Sequence, residues 1–169
     1  QFADHNERLV TEKYIARLAT ENACLVSDAG TPGISDPGFR LVRAARAANI
    51  EVTALPGANA ATTALSASGL PTDRYLFTGF MPKTEHKVIE LVNQAKVVEA
   101  TLVTYESPQR ITKTLQYIEK SFPEVNCVVA RELTKMHEEY LAGTPAELLE
   151  KLKAKPSIKG EITFLLSFK

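Results

Sequence analysis

The sequence predicts an α/β protein in two halves, and two observations carry that expectation. Short apolar runs such as "ACLV", "EVTAL", "LFTGF", "ATLVTY" and "GEITFLLSF" alternate along the chain with segments of helical periodicity. Such alternation is the mark of layered helix and sheet. A loop rich in glycine and proline, "VSDAGTPGISDPG" from Val26 to Gly38, leaves one of those runs, at the kind of position where open α/β sheets place a ligand.

Asn6 can cap a first helix reaching about Thr20, with Leu9, Ile15 and Leu18 roughly on one face. "ACLV" reads as a buried strand that ends at the loop. Asp36-Pro37 reads as a helix start, because aspartate caps and proline tolerates the first turn. That helix should reach about Ala48 and stop near Asn49, with "EVTAL" as the next strand. "PGANAATTALSASG" is a tight turn into a helix of small residues, which can approach a sheet or ligand closely. "LPTDRY" then turns into the strand "LFTGF".

The second half repeats the pattern. A helix from about Thr84 to Ala95 precedes the strand "ATLVTY", and "ESPQR" opens a helix to about Lys120. "NCVVARELT" and "EEYLAG" read as strands. "TPAELLEKLK" is a helix with a capping threonine and proline at its first position, and "GEITFLLSF" is a closing strand of nearly alternating pattern.

Bulk properties exclude some classes. At 169 residues the chain can form one domain or two small ones. Its formal net charge is zero, so nucleic acid would have to be held by a local patch. Cys24 and Cys127 stand far apart in apolar runs and are expected as buried free thiols of a reducing compartment. Nothing reads as a signal peptide or a membrane span, so a cytoplasmic location is expected. His5, His86 and His137 lack metal spacing, and "TKMHEE" has no second histidine for a zinc motif; no metal is expected.

The loop itself is informative. It holds three glycines, two prolines and two aspartates but no lysine, and it lacks the G-K-[ST] ending of a triphosphate loop. Asp28 and Asp36 would repel phosphate, whereas ribose hydroxyls, an ammonium or a sulfonium would be welcome there. A cationic or hydroxyl-rich nucleoside is the expected ligand, and an NTPase is disfavoured.

"LVSDAGTPGISDPG", "LPGANAATTALSASGLPTDRYLFTGFMP", "TYESPQR", "ARELTKMHEE" and "KGE" occur in this order. Together they resemble the family of ribosomal small-subunit RNA cytidine 2′-O-methyltransferases, within the tetrapyrrole-methylase superfamily. The resemblance runs from "DHNE" at Asp4 to the last strand. It implies two α/β domains with S-adenosylmethionine in the cleft between them, a homodimer, and methyl transfer to the ribose 2′-OH of a cytidine in 16S rRNA. Residues 1–79 would be the remainder of the N-terminal α/β domain, with the cofactor loop and an arginine helix, and 80–169 the C-terminal α/β domain, "GFMPKTE" being the linker. Relatives carry a further amino-terminal segment with the first strand, a glycine-containing loop and an acidic motif. The first domain is therefore expected to be truncated, and the fragment inactive or badly impaired.

The resemblance also implies site residues. Gly30, Thr31 and Pro32 match the cofactor loop, with Ser35 and Asp36 just beyond it, and Asn59 and Ala60 match a second cofactor-contacting turn. "GANA" stands where many relatives have "GPSA", and the Asn59 amide can still donate and accept. Tyr105 and Glu106, then Leu133, match positions that enclose the adenosyl group. Asp28 and Glu106 are the candidates for orienting the hydroxyl or balancing the sulfonium, each weighed against a turn-capping or arginine-pairing role. For RNA, Arg40, Arg43 and Arg46 recur every three residues on one helix, and Arg110, Arg131 and Lys135 follow motifs expected near the cleft; Lys83, His86 and Lys87 add a thin basic loop. Tyr75, Phe77 and Phe80 are expected in core and cleft lining. The expected partner is small-subunit rRNA or the 30S subunit. A tetrapyrrole C-methyltransferase and a non-catalytic ribosome-assembly binder are the alternatives.

Overall fold

A computed structural model describes residues 6–169, so Asp4 and His5 lie outside the described residues. The chain divides into two compact units, one ending at Asn59 and one running from Ala60 to Lys169. The units part there and not at the 79/80 boundary expected from sequence, because the segment after Ala60 is built into the sheet of the second unit.

In the first unit, helix α1 (Glu7–Leu18) packs against α2 (Phe39–Ala47). Ile15 and Leu18 are half-buried, but Leu9 is exposed. The expected strands "ACLV" and "EVTAL" are not strands. An extended segment becomes one only when a neighbour completes its hydrogen-bond ladder, and among the described residues neither segment has such a neighbour. Cys24, expected in a core, is accordingly exposed.

The start of α2 also differs from expectation. Asp36 does not cap it; the cap position is Gly38, at φ 142°, and the helix begins at Phe39. The capping oxygen comes instead from Glu7 of α1, whose Oε1 accepts from the backbone N–H of Gly38 (3.1 Å) and of Arg40 (2.8 Å). Asn49, with φ 55°, ends the helix where sequence placed its stop.

In the second unit, α3 (Ala60–Ala67) is followed by β1 (Tyr75–Phe80), α4 (Glu85–Val97), β2 (Thr101–Glu106) and α5 (Ile111–Ser121). Then come β3 (Asn126–Arg131), β4 (Glu139–Gly143), α6 (Pro145–Lys153) and β5 (Ile162–Ser167). The five strands form one sheet in the order β1-β2-β5-β3-β4. β1 and β2 are parallel, and β5 runs antiparallel to both β2 and β3. β1, β2 and β3 therefore all end at the same edge of the sheet.

Side chains alternate between two covered faces. Leu102, Cys127, Val129, Phe164 and Leu166 point into a core shared with α4, α5 and α6. Val103, Val128, Ala130 and Leu165 meet Ala61, Ala64 and Leu65 of α3, whose small residues permit the close approach. The closing strand is thus buried at every position from Ile162 to Ser167, and not on alternate ones. It sits at the centre of the sheet with helices on both sides, so both faces need apolar residues. Helix α6 starts as expected, with a capping box between Thr144 and Glu147. Among the described residues, no helix is long and apolar enough to cross a membrane.

Burial pushes the Cys127 thiol up to about 12, whereas Cys24 is open to solvent. An aromatic disulfide reagent at pH 8 should therefore label Cys24 alone in the native protein and both thiols after denaturation. Rapid labelling of two native thiols would mean that the core around β3 is open.

Candidate functional site

Each compact unit carries its own group of the residues singled out from sequence. In the first, the Gly30–Asp36 loop is held by local bonds. The Thr31 hydroxyl donates to the Ala58 carbonyl oxygen at 2.9 Å. The Ile34 N–H reaches the Thr31 carbonyl oxygen at 3.3 Å, and Ser27 Oγ bonds to the Ala29 carbonyl at 2.9 Å. A Cβ added at Gly57 would stand 3.1 Å from Thr31 Oγ1, so the two glycine turns meet closely and a side chain there would push on Thr31. Gly30 (φ 79°), Gly33 (φ 80°) and Ser35 (φ 54°) take left-handed backbone conformations. Asp28 is exposed, and Pro32 and Asp36 are half-buried.

The anchor of this loop is Glu7, which sequence reasoning did not single out. Its side chain is only 7% exposed, and its second oxygen lies 3.8 Å from Nε of Arg40. At Gly38 an added Cβ would come within 2.8 Å of Leu25 Cδ2. The backbone angle favours glycine there, and a larger residue would also have to displace the Leu25 side chain.

In the second unit, Tyr105 near the end of β2 and Leu133 just after β3 lie toward the same end of the sheet. Register places Phe80, Tyr105, Thr163, Ala130 and Tyr140 in one row across the sheet. Tyr105, Phe77, Leu133 and Tyr140 all pack, partly buried, on the α3 side of the core. Tyr105 meets the rings of Phe77 (5.1 Å) and Phe80 (5.6 Å) edge-on. Burial raises the Tyr105 phenol above its ordinary value, partly offset by the Ala61 N–H bonded to its oxygen, so the phenol is protonated near neutral pH. Ala60 opens the helix that supplies that N–H. Tyr75 and Phe80, expected in core and cleft lining, are exposed, because β1 is the edge strand.

Glu106 follows Tyr105 and therefore points to the opposite face, toward α5. Its Oε1 accepts from the Ser107 N–H (2.7 Å) and Arg110 Nε (2.8 Å), and its Oε2 from the Thr114 hydroxyl (2.7 Å). The geometry is that of a buried turn-capping and arginine-pairing carboxylate, away from the face that holds Tyr105 and Leu133.

The arginines divide similarly. Arg110 also donates to the Met81 carbonyl at 2.7 Å. Arg131 binds Glu139 (3.2 Å) and the Lys159 carbonyl (3.0 Å), and Lys135 binds Glu132 and Glu161, each at 3.0 Å. These three make ion pairs or hydrogen bonds within the protein. Arg46 reaches the Val52 carbonyl at 2.8 Å, while Arg40 and Arg43 stand on the exposed side of α2. His86 and His137 are exposed.

Residues 2–149 match the sequence model of the tetrapyrrole (corrin/porphyrin) methylases. The chain belongs to that family. Within the methylase family it is similar to proteins named ribosomal RNA small subunit methyltransferase I. With the one from Hydrogenobaculum sp. (strain Y04AAS1) it shares 47% identity over 148 residues, covering 87% of this chain and 64% of the relative. With that of Synechocystis sp. (strain ATCC 27184 / PCC 6803 / Kazusa) it shares 46% over 145 residues, covering 85% and 52%. The chain thus spans roughly half to two thirds of the length of these relatives.

Solved structures agree on the methylase fold. A diphthine synthase superposes with a TM-score of 0.75 at 12% identity, covering 97% of this chain and 67% of that one. A uroporphyrin-III C-methyl transferase from Thermus thermophilus, complexed with S-adenyl homocysteine, gives 0.60 at 11%, covering 96% and 74%. At such identities the likeness is one of fold.

Among the residues that shape these two groups, Glu7, Glu132 and Tyr140 escaped the sequence reading. Glu7 and Glu132 lie inside quoted motifs, "DHNE" and "ARE", but their bonds reach distant residues. Tyr140 joins the site through strand register alone.

Proposed function

We propose that this chain is part of an S-adenosylmethionine-dependent methyltransferase that methylates the ribose 2′-OH of a cytidine in small-subunit rRNA. The observation that carries the reading is the acid-lined glycine loop at 30–36, tied at Thr31 to the Gly57-Ala58 turn. The relatives' name supplies the RNA class. The donor set fits such a cofactor: carboxylates suit a sulfonium and ribose hydroxyls, and the close-set glycine turns suit an approach to bare backbone. S-adenosylmethionine supplies an electrophilic methyl carbon.

The chain's own part is binding, alignment and exclusion of water. Gly30, Thr31, Pro32, Ser35, Asp36, Asn59 and Ala60 are assigned to the cofactor, with Tyr105 and Leu133 as apolar walls for its adenosyl group. Asp28, exposed at the loop, is the group we assign to orienting the 2′-OH and receiving its proton. Glu106 holds the turn between β2 and α5. Arg40 and Arg43 are assigned to RNA phosphates, which makes substrate binding salt-dependent. The working form is a homodimer acting on 30S subunits in the cytoplasm.

The test is calorimetric titration of S-adenosylhomocysteine, followed by transfer of labelled methyl to unmethylated 30S subunits, with uroporphyrinogen III as a competing acceptor. Binding and labelling of rRNA are expected of the protein at its full natural length, and Gly57→Val in that protein should weaken binding about tenfold by displacing Thr31. Labelling of the tetrapyrrole would overturn the RNA assignment. Binding without turnover at full natural length would point to an assembly factor, and absence of binding would remove the methyltransferase reading.

A further inference from the structure

The segment after β3 is bent in a way that packing alone does not require. Glu132 (φ 51°) and Thr134 (φ 63°) both occupy the left-handed region, one on each side of Leu133. A β-branched residue there is an outlier, and such conformations persist only where their surroundings over-determine them. The surroundings do so here. The Glu132 N–H donates to the Glu161 carbonyl at 3.0 Å, and Glu132 Oε1 accepts the Glu161 N–H at 2.9 Å. Lys135 Nζ binds Glu132 Oε1 and Glu161 Oε2, each at 3.0 Å, and the Thr134 N–H donates to Glu138 Oε2 at 2.6 Å. Gly160, at φ 88°, leaves room for the Glu132 side chain, which an added Cβ would strike.

What this bracing supports is narrow. Beyond it, Met136 is 93% exposed, so the bend does not serve to bury the loop tip. Leu133 is the residue it presents, packed against the α3-side core cluster that Tyr105 and Tyr140 also cover.

We propose that Glu132 is a positioning residue, whose carboxylate pins residues 132–135 so that Leu133 stands as a fixed wall of the adenosyl site. The proposal rests on the reading of the Tyr105–Leu133 face as that site. Pre-organising a wall lessens the ordering that binding must otherwise impose. The backbone N–H of Glu161 needs only a neutral acceptor, so Glu132→Gln keeps the essential bond and loses an exposed ion pair of small worth. Glu132→Ala loses both. Thr134→Gly removes the left-handed strain and frees the segment to leave its bend.

The experiment measures S-adenosylhomocysteine binding by calorimetry, and thermal unfolding, on the protein at its full natural length. Wild type binds. Glu132→Ala, at a temperature where its circular dichroism is native, binds about tenfold more weakly, and Glu132→Gln stays within about threefold. Thr134→Gly loses affinity while its melting temperature holds or rises, a pattern that a merely structural role does not produce. Folded Glu132→Ala and Thr134→Gly with wild-type affinity would overturn the proposal; if Glu132→Ala does not fold, Thr134→Gly decides by itself. Failure of the wild type to bind would instead remove the site reading, and the proposal with it.

Discussion

Glu106→Ala should destabilise the second compact unit by about 3–5 kcal/mol, the range for stripping one partner from a buried pair. The side chain of Glu106 is 0% exposed and that of Arg110 28%. Truncation would strand the Arg110 guanidinium, the Ser107 N–H and the Thr114 hydroxyl together, with only the Met81 carbonyl left to Arg110. Urea denaturation followed by circular dichroism measures the loss directly. Glu106→Gln keeps the volume and part of the acceptor capacity, so it should lose less. The proposed methyl transfer, measured on the folded variant at its full natural length, also separates structure from chemistry. A near-normal rate is expected of a residue that faces α5; a collapse of the rate in a folded protein would return Glu106 to the reacting centre.

Glu7→Ala is expected to cost about 2 kcal/mol through two orphaned backbone donors at the start of α2. The ion pair with Arg40 adds little, since that arginine side chain is 61% exposed. The functional effect should be larger than the stability change suggests. Gly38 closes the loop that begins at Gly30, and the Glu7 carboxylate is what ties Gly38 and Arg40 to α1. Affinity for S-adenosylhomocysteine should fall about tenfold as the loop loses its anchor. Glu7→Gln, whose amide oxygen can still accept from both N–H groups, should restore most of it. Hydrogen exchange gives the local readout: the Gly38 and Arg40 amides should lose protection in the alanine variant and keep it in the glutamine one. Unchanged protection at both would refute the capping role.

Glu106 and Glu7 also show where sequence reading succeeds and where it stops. The resemblance of "TYESPQR" placed Tyr105 and Glu106 at the site together. Strand geometry separates them, since neighbours on a strand face opposite ways, and only the covering helices decide which face is which. Asp36-Pro37 has every local mark of a helix start, yet the cap came from a carboxylate far away in sequence.

What the sequence by itself determined is local in origin. The helices from Glu85 to Val97 and from Pro145 to Lys153, the strands of the second unit and the stop at Asn49 follow from periodicity, capping and turn chemistry within a few residues. The family, too, was legible from linked motifs. Only the tertiary structure decided that Ala60–Phe80 belongs to the second unit, that β5 is central and buried on both faces, that "ACLV" and "EVTAL" are not strands, and that Arg110, Arg131 and Lys135 are already paired. Each of these depends on which segments become neighbours. A strand, a buried carboxylate or a matched charge exists only once its partner has been brought alongside, and that partner is chosen by packing across the whole chain.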